Sequence, residues 1–362
     1  MLTSDFDYNL PSERIAQTPA NPRDSSRLMV IDRTSKKFEH KIFSDIIDYL
    51  QSGDVLVWNN SKVFKARLSG QLMSEKGEPL RDHRKPIEIF LVREMENSGV
   101  WKVLAKPGRH VKPGTRVQFA SDFWCDVMVK ETEGTILVQF PDPVNVVMQK
   151  ANQYGSVPLP PYVKDERHEL EAYQTVYARH EGSVAAPTAG FHFTSDLIKK
   201  IKDKGVELAE VTLHVGLGTF LPVKSERVED HTMHSEVVEI PLETAEAINR
   251  AKQEGRRVIA VGTTTVRTLE GVAQLAAKFS GQETKEKIWL EPYRGDLTIF
   301  ITPGFEFKIV NALITNFHLP KSTLLMLVAA FAGDQKFILD CYREAVTENY
   351  RFYSFGDAMF LD

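Results

Sequence analysis

The sequence predicts a layered α/β main domain that carries an inserted all-β, barrel-like domain. Two observations support this fold class. Segments of strand and helix character alternate along most of the chain, which is typical of layered α/β proteins. Between residues 62 and 140 the helical pattern stops, and short β-rich runs recur between proline, glycine and acidic turns. We therefore expect a main domain from residues 1–61 and 151–362 and a barrel-like domain from residues 62–150.

The elements of the main domain follow from local patterns and stop signals. Thr194 or Ser195 can cap a helix that runs to Lys204, and Gly205 suits its end. Three prolines make residues 155–163 a stiff connector rather than a central helix or strand. The other predicted strands are 28–32, 55–58, 206–214, 256–261, 297–301 and 308–315, and the other predicted helices are 44–50, 165–179, 244–254, one opening at Gly262, 323–332 and 334–349.

Composition excludes several classes of protein. The longest apolar run, residues 324–332, is about half of the ~20 residues that span a bilayer. The first residues have neither the basic start nor the apolar core of a secretory signal. Two cysteines, Cys125 and Cys341, are too few for a disulfide framework or a cysteine-based metal site. We therefore expect a cytoplasmic protein without membrane contact.

Charge limits how the chain could bind nucleic acid. The net charge is −4, so no positive field extends over the whole molecule, and an RNA-binding surface would need local clustering of basic residues. Residues 101–117 contain no acid and form the one candidate RNA-binding segment; the alternative is a solvated loop and strand edge. Its basic residues are Lys102, Lys106, Arg109, Lys112 and Arg116.

Histidines cluster in the middle of the chain, where six of the ten lie between His168 and His234. In the strand EVTLHV, the two-residue period places Glu210, Thr212 and His214 on one face, about 7 Å apart in succession. A carboxylate and an imidazole that face the same way can share a proton, so the pair is a candidate for acid–base chemistry. The alternative is a half-buried polar strand face.

The string HTMHSE brings His231, His234 and Glu236 within six residues. Two imidazoles and a carboxylate resemble a partial metal set, but their spacing matches no known metal motif. We favour a polar loop that hydrogen-bonds a substrate over a structural turn, and we expect no metal site.

A strand, a glycine and three threonines in a row open the helix at Gly262. Unpaired amides at such a helix N-terminus favour a phosphate or carboxylate, and the alternative is simple capping by threonine. Phe191 and Phe193 lie in a polar string and could stack a base, although aromatic residues are more often part of a core.

Ten ordered strings resemble one family, the S-adenosylmethionine:tRNA ribosyltransferase-isomerases of queuosine biosynthesis. They are RDSSRLMV (23–30), DVLVWNNSKVFKARL (54–68), GSVPLPPYV (155–163), YQTVYA (173–178), APTAGFHFT (186–194), TLHVGLGTF (212–220), HTMHSE (231–236), GTTTVRTLE (262–270), ITPGFEF (301–307) and TNFHLPKSTLLMLVAAFAG (315–333). The charged segments 77–86 and 278–287 depart from the family's strings and carry no functional assignment.

The resemblance implies a two-domain α/β fold with an inserted β-barrel and an enzyme without a prosthetic group or metal. S-adenosylmethionine would be a co-substrate whose ribosyl part is transferred and isomerised onto 7-aminomethyl-7-deazaguanine at the wobble position of tRNA. The product would be epoxyqueuosine in tRNA, with adenine and methionine released. We expect a monomer that binds tRNA and S-adenosylmethionine.

The implied chemistry suggests roles for the motif residues. The sulfonium acidifies the 5′ carbon, so a base must remove that proton in a water-poor site. His214, supported by Glu210, and His192 are the leading candidates for the base. His231, His234 and Glu236 could protonate adenine or hold the ribose, and Thr263, Thr264 and Arg267 could bind the methionine carboxylate. Asn316 and His318 of TNFHLP are further candidates for substrate binding.

Two other functions stay open at this point. An RNA methyltransferase would use the same co-substrate but release S-adenosylhomocysteine instead of adenine and methionine. A non-enzymatic tRNA-binding module would show no dependence on S-adenosylmethionine.

Overall fold

The computed structural model describes residues 1–74, 78–80, 85–95, 99–131, 134–164, 170–216, 223, 225–279 and 289–362. Its strands are β1 Arg27–Asp32, β2 Lys37–Ile42, β3 Val55–Asn59, β4 Ser61–Val63, β5 Arg67–Met73, β6 Ile87–Glu94, β7 Val100–Lys106, β8 Arg116–Ala120, β9 Phe123–Lys130, β10 Ile136–Gln139, β11 His180–Ser183, β12 Glu207–His214, β13 Glu236–Ile240, β14 Val258–Val261, β15 Tyr293–Leu297, β16 Ala312–Asn316 and β17 Ala358–Leu361. Its α-helices are α1 Ile46–Tyr49, α2 Val144–Tyr154, α3 Ser195–Asp203, α4 Leu242–Gln253, α5 Thr263–Phe279, α6 Thr323–Ala332 and α7 Gln335–Thr347.

A nine-stranded mixed sheet organises the larger part of the protein, in the order β15-β13-β12-β3-β14-β16-β17-β1-β2. The four strands β12, β3, β14 and β16 are parallel to one another, so their carboxyl ends meet at one edge of the sheet. Strand β17 returns antiparallel to β16 and parallel to β1, and it thereby joins the last residues of the chain to the first strand.

Helices cover both faces of this sheet, as the predicted α/β layering requires. Along β3 the side chains alternate: Val55 and Val57 belong to a core shared with α4, α5 and α6, whereas Leu56 and Trp58 belong to a core shared with α1 and α3. A strand that is buried on both faces is typical of parallel α/β sheets. Thr194 caps α3 by accepting a hydrogen bond from the Leu197 amide, as the sequence predicted.

The inserted all-β unit is a closed barrel of six strands in the order β10-β7-β6-β5-β8-β9, with every neighbouring pair antiparallel. The predicted fold class is therefore confirmed. The barrel strands span residues 67–139, inside the interval expected for this domain. Helix α2 was not predicted; it packs Val147 and Ala151 into the barrel core, so tertiary burial stabilises a short helix whose sequence gives little local signal.

Several predicted elements are corrected by tertiary contacts. In the described part of the helix expected over 165–179, Leu170–Tyr173 is a 3₁₀ turn and 174–179 is not helical. Gln174 instead pairs its side-chain amide with both backbone groups of Val63, which holds this stretch against β4. The strand expected at 297–301 lies earlier, as β15. The strand expected from 308 begins at Ala312, because the backbone amides of 308–310 donate hydrogen bonds to the Glu270 carboxylate instead of to a neighbouring strand.

Other differences concern strands that local patterns did not reveal. Strands β2, β13 and β17 were not predicted, and Glu236 of the HTMHSE string begins β13 rather than lying in a loop. Residues 165–169, 217–220, 77, 81–84 and 280–287, which fall in segments discussed above, lie outside the described residues. Among the described helices, none combines the length and apolar character that crossing a bilayer requires.

Glu270 on α5 is nearly fully buried and accepts hydrogen bonds from three consecutive backbone amides. Glu270→Gln replaces one accepting oxygen with a donor facing the Lys308 amide. We expect the free energy of unfolding to fall by about 2 kcal/mol, measured by urea denaturation, because a buried donor loses its partner. Glu246→Gln, on the exposed face of α4, should change it by less than about 0.5 kcal/mol. Equal effects of the two substitutions would show that the hydrogen bonds accepted by Glu270 do not stabilise the fold.

Candidate active site

Polar residues end three adjacent parallel strands. Asn59 ends β3, Gly262 and Thr263 follow β14, and Asn316 ends β16. Ligands of α/β proteins bind in crevices outside the carboxyl ends of parallel strands. At this edge lies a cleft of about 480 Å³, a volume within the range of about 300–1,000 Å³ that is typical of small-molecule sites.

The cleft is lined by aromatic, hydroxyl, amide and imidazole groups. Among its described lining residues there is no carboxylate, and Lys321 is the one side chain with a permanent charge. Its lining residues with polar side chains include Thr263, Thr264, Asn316, His318 and Tyr353. A site of this composition suits a ligand with an anionic group and several hydrogen-bonding groups.

The three threonines that open α5 have different partners. Thr265 donates its hydroxyl to the Val261 carbonyl at 2.7 Å, and Thr264 accepts from the Asn59 side chain at 3.4 Å. The Thr263 hydroxyl has no hydrogen-bond partner among the described residues, although the residue is only 6% exposed. Gly262 has φ +86°, in the left-handed region that glycine adopts readily, and this makes the sharp turn into the helix. The Thr263 hydroxyl is therefore available to a ligand.

A second helix also points its N-terminus at the cleft. Ser322 caps α6 by accepting from the Leu325 amide, and Ser322, Thr323 and Lys321 all line the cleft. Lys321 forms an ion pair with Asp7 at 2.7 Å. The ion pair with Asp7 balances the charge of Lys321, so the two helix N-termini make this end of the cleft electropositive, which favours a carboxylate or phosphate.

His192 lies behind the cleft and supports Asn316. Its Nε2 accepts from the Asn316 amide at 3.1 Å, so Nδ1 carries the proton and donates to Ser26 Oγ at 2.7 Å. Burial, with smaller effects of Arg351 and Arg23, lowers the pKa of His192 to about 3. Both ring nitrogens are engaged, and His192 is therefore a neutral residue that orients the Asn316 amide.

His318 is the one histidine among the described lining residues of the cleft. Its Nε2 shares a hydrogen bond of 2.9 Å with Thr315 Oγ1, and its Nδ1 has no partner within the described structure. Tyr8 donates to the His318 carbonyl and thereby fixes the backbone at this point. Burial lowers the pKa of His318 to about 3, so the ring is neutral near pH 7.

Glu210 and His214 share a face of β12 but do not form a pair. The Glu210 carboxylate accepts from Asn60 at 3.0 Å and pairs with Arg179 at 3.2 Å, in a separate groove of about 800 Å³ beside β12. The His214 ring packs against Gly182, and its Nδ1 is buried without a partner among the described residues. Burial, then His180 and Arg294, lowers the pKa of His214 to about 4. His214 does not line the cleft, although its neighbour Val215 does.

The residues of HTMHSE also lie away from the described lining of the cleft. His231 contacts Phe300 edge to face at 5.5 Å between ring centroids, and His234 is half-buried. Glu236 forms a buried ion pair with Arg267, which therefore has no free charge for a ligand. Within the described ranges, no group of three or more His, Cys, Asp or Glu side chains is arranged to hold a metal ion.

Phe191 and Phe193 are core residues in this structure, and neither belongs to the described lining of the cleft. Phe193 is 0% exposed and packs edge to face on Phe43, while Phe191 stacks on Phe355 at 5.8 Å. Both rings have their faces covered by protein, so a base could stack on them only after a rearrangement.

The basic residues of 101–117 divide into two groups on the barrel. Lys102 pairs with Glu131 at 2.9 Å and Arg116 pairs with Asp126 at 2.7 Å, so their charges are already balanced. Lys106, Arg109 and Lys112 are exposed, and none of them forms an ion pair within the described residues.

Tyr353, Tyr162 and Lys321 are among the lining residues that sequence reasoning missed. Tyr353 and Tyr162 carry no chemical motif, and the sequence gives no sign that Tyr353 has φ +70°. The sequence marks Lys321 only as a member of the family string TNFHLPKST and indicates no role for it. Tyr162 belongs to the proline-rich connector, and its place in a family string was the one available signal.

Comparisons with known proteins agree along the whole chain. The family model described as "Queuosine biosynthesis protein" matches residues 3–361. An S-adenosylmethionine:tRNA ribosyltransferase-isomerase of Thermotoga maritima is 50% identical over 362 residues, and one of Carboxydothermus hydrogenoformans is 50% identical over 361, each covering 100% of both chains. The crystal structure of S-adenosylmethionine tRNA ribosyltransferase from Thermotoga maritima is 41% identical, covers 99% of this chain and 100% of that one, and superposes with a TM-score of 0.54.

The buried histidines predict a loss of stability in acid. An unfolded histidine binds a proton near pH 6.5, whereas folded His192 does so only near pH 3. Below pH 6.5 the unfolded chain therefore binds more protons, and the free energy of unfolding falls as the pH falls. His192→Asn should reduce this pH dependence by about 1.4 kcal/mol per pH unit between pH 6 and 4, measured by denaturant titration.

The exposed His180 provides the control, since His180→Asn should leave most of the pH dependence in place. A pH dependence unaltered by His192→Asn would mean that folded His192 can take up a proton at ordinary pH.

Proposed function

The chain belongs to the queuosine biosynthesis protein family, and from this membership we propose that it is an S-adenosylmethionine:tRNA ribosyltransferase-isomerase. It transfers and isomerises the ribosyl part of S-adenosylmethionine onto 7-aminomethyl-7-deazaguanine at the wobble position of tRNA. The products are epoxyqueuosine in tRNA, adenine and methionine. The observation that carries this proposal is the 50% identity over full length to relatives with this name. We expect the enzyme to act in the cytoplasm as a monomer.

In this proposal, S-adenosylmethionine binds in the cleft at the carboxyl edge of the sheet. Its carboxylate suits the electropositive end formed by the N-termini of α5 and α6, where the free Thr263 hydroxyl and Thr264 can donate to it. Arg267 is left out of this set because Glu236 already neutralises its charge. This orientation directs the nucleoside toward Asn316 and His318.

The reaction needs a base, because the sulfonium acidifies the 5′ carbon of the ribose. We assign this role to His318, which lines the cleft with a free Nδ1. With Nε2–H donating to Thr315, the Nδ1 lone pair takes the proton, and the 5′ carbon keeps the electron pair as an ylide. A neutral imidazole with a pKa of about 3 is a weak base.

Asn316 is the second polar group for the nucleoside. Its amide nitrogen is held by His192 and the Tyr353 carbonyl, and its oxygen accepts from Thr188 at 3.3 Å. An amide fixed at these points can bind a ribose hydroxyl or the adenine without reorganisation. His192 is therefore assigned as a positioning residue, and His214 with Glu210 remains the alternative base predicted from the sequence. His231, His234 and Glu236 are not assigned to the reacting groups.

The test is incubation with S-adenosylmethionine labelled in adenine and with tRNA that contains the deazaguanine precursor. Free adenine and methionine support the proposal. S-adenosylhomocysteine as the product would identify a methyltransferase instead. Binding of tRNA without any turnover would leave a tRNA-binding module.

His318→Ala should lower kcat by ~10²-fold or more while S-adenosylmethionine and tRNA still bind, because it removes the base. His192→Ala should also lower kcat, since the Asn316 amide loses its orientation, and His192→Gln should recover part of it. Single-turnover adenine release measures both effects. His40→Ala, on the edge strand β2, is the control and should match the wild type.

Full activity of His318→Ala together with a ~10²-fold loss in His214→Ala would transfer the role to His214. Full activity of His318→Ala, His192→Ala and His214→Ala would exclude these three histidines as the base.

The exposed barrel residues Lys106 and Arg109 are proposed to bind tRNA phosphates. The double variant Lys106→Ala/Arg109→Ala should weaken tRNA binding and reduce the slope of log K against log salt by about 1.5, since two phosphate contacts are lost. Fluorescence anisotropy at several salt concentrations gives this slope. Lys199→Ala/Lys200→Ala, which removes the same charge from exposed positions of α3, is the matched control. An equal slope in the two double variants would leave the barrel segment as a solvated loop.

A further inference from the structure

The described lining of the cleft supplies no negative charge to balance the positive charge of the proposed substrate. S-adenosylmethionine carries a positive sulfonium, yet no described residue that lines the cleft is a carboxylate. A cation that leaves water needs some compensating group. Three tyrosines lie in the lining, Tyr162, Tyr173 and Tyr353, and the negative face of an aromatic ring attracts cations within about 6 Å of its centre.

Tyr353 differs from the other two in its backbone. It has φ +70°, the left-handed conformation that costs energy for a residue with a side chain. Three hydrogen bonds hold it there: its amide donates to the Phe317 carbonyl at 3.1 Å, and its carbonyl accepts from Gly356 at 2.9 Å and from Asn316 at 3.2 Å. Strained residues that are held by several contacts concentrate at functional sites.

The Tyr353 side chain packs at the edge of the main core and also lines the cleft. The residue is 7% exposed, and its ring centroid lies 4.3 Å from that of Tyr162, which supports it from one side. Its hydroxyl has no hydrogen-bond partner among the described residues, whereas Tyr162 bonds to Ser354 at 2.6 Å. Burial, with a smaller effect of Tyr162, raises the pKa of Tyr353, so its phenol stays protonated and cannot serve as a base.

We propose that Tyr353, supported by Tyr162, binds the sulfonium of S-adenosylmethionine through its ring face. This inference rests on the proposed function and adds the residue that recognises the charge of the substrate. Asn316 connects it to the nucleoside site, because the same amide that bonds the Tyr353 carbonyl lines the cleft. The free hydroxyl of Tyr353 would contact the ribose or the methionine amine.

An aromatic face suits the chemistry better than a carboxylate would. When the base removes the 5′ proton, the substrate changes from a sulfonium cation to an ylide whose charges cancel locally. A carboxylate at this place would stabilise the cation strongly and lose that stabilisation in the transition state, which raises the barrier. A ring face binds the cation more weakly and therefore keeps the carbon acidic.

The test compares two ligands that differ in the charge on sulfur. Dissociation constants for S-adenosylmethionine and for the uncharged thioether S-adenosylhomocysteine are measured by calorimetry with the wild type, Tyr353→Phe and Tyr353→Leu. Tyr353→Leu should weaken S-adenosylmethionine by about tenfold and S-adenosylhomocysteine by less than about threefold. Tyr353→Phe keeps the ring face and should retain the preference for the charged ligand.

Tyr154→Leu, on the exposed part of α2 in the barrel, is the matched control and should change neither constant. Thermal unfolding of each variant checks that the fold is intact. An equal loss for both ligands in Tyr353→Leu, or no loss for either, would overturn the inference and leave Tyr353 as a packing residue. Adenine release is also measured with the wild type from the same preparation. Absence of adenine release would refute the proposed function, whereas the binding constants test the role of Tyr353.

Discussion

The parallel pairing of β12, β3, β14 and β16 is the constraint on which the site depends. Because these strands run in one direction, their last residues meet at one edge, and Asn59, Gly262 and Asn316 come together from segments about 50 to 260 residues apart. The same pairing directs the N-terminus of α5 at the cleft. Antiparallel β17 then returns along β16 and brings the loop with Tyr353 to the same edge.

The distribution of charge around this edge has a consistent physical character. His192 and His318 are neutral, Glu236 and Arg267 neutralise each other in a buried ion pair, and two helix N-termini supply a moderate positive field. Because neutral groups need few counter-charges, the described lining of the cleft can exclude water without placing a carboxylate beside the proposed cationic substrate. A sulfonium held in such surroundings keeps its carbon acidic.

How far the sequence predicted the site can be judged from individual residues. The threonine run after Gly262 was correctly placed at a helix N-terminus, but only the structure separates Thr263, which is free, from Thr264 and Thr265, which have partners. The face shared by Glu210 and His214 follows from strand periodicity. The contacts of these two side chains do not follow from strand periodicity, because Asn60, Arg179 and Gly182 come from other parts of the chain.

The sequence by itself determined the fold class, the barrel insertion and the family, because these depend on periodicity, turn residues and long ordered strings. The tertiary structure decided which polar groups face the cleft. His192 lies behind Asn316 through contacts to Ser26 and Asn316, 166 and 124 residues away along the chain. Tyr353 takes its strained conformation from Phe317, Asn316 and Gly356. Local patterns encode which face of an element is buried, whereas hydrogen-bond partners are set by strands that meet only in the folded chain.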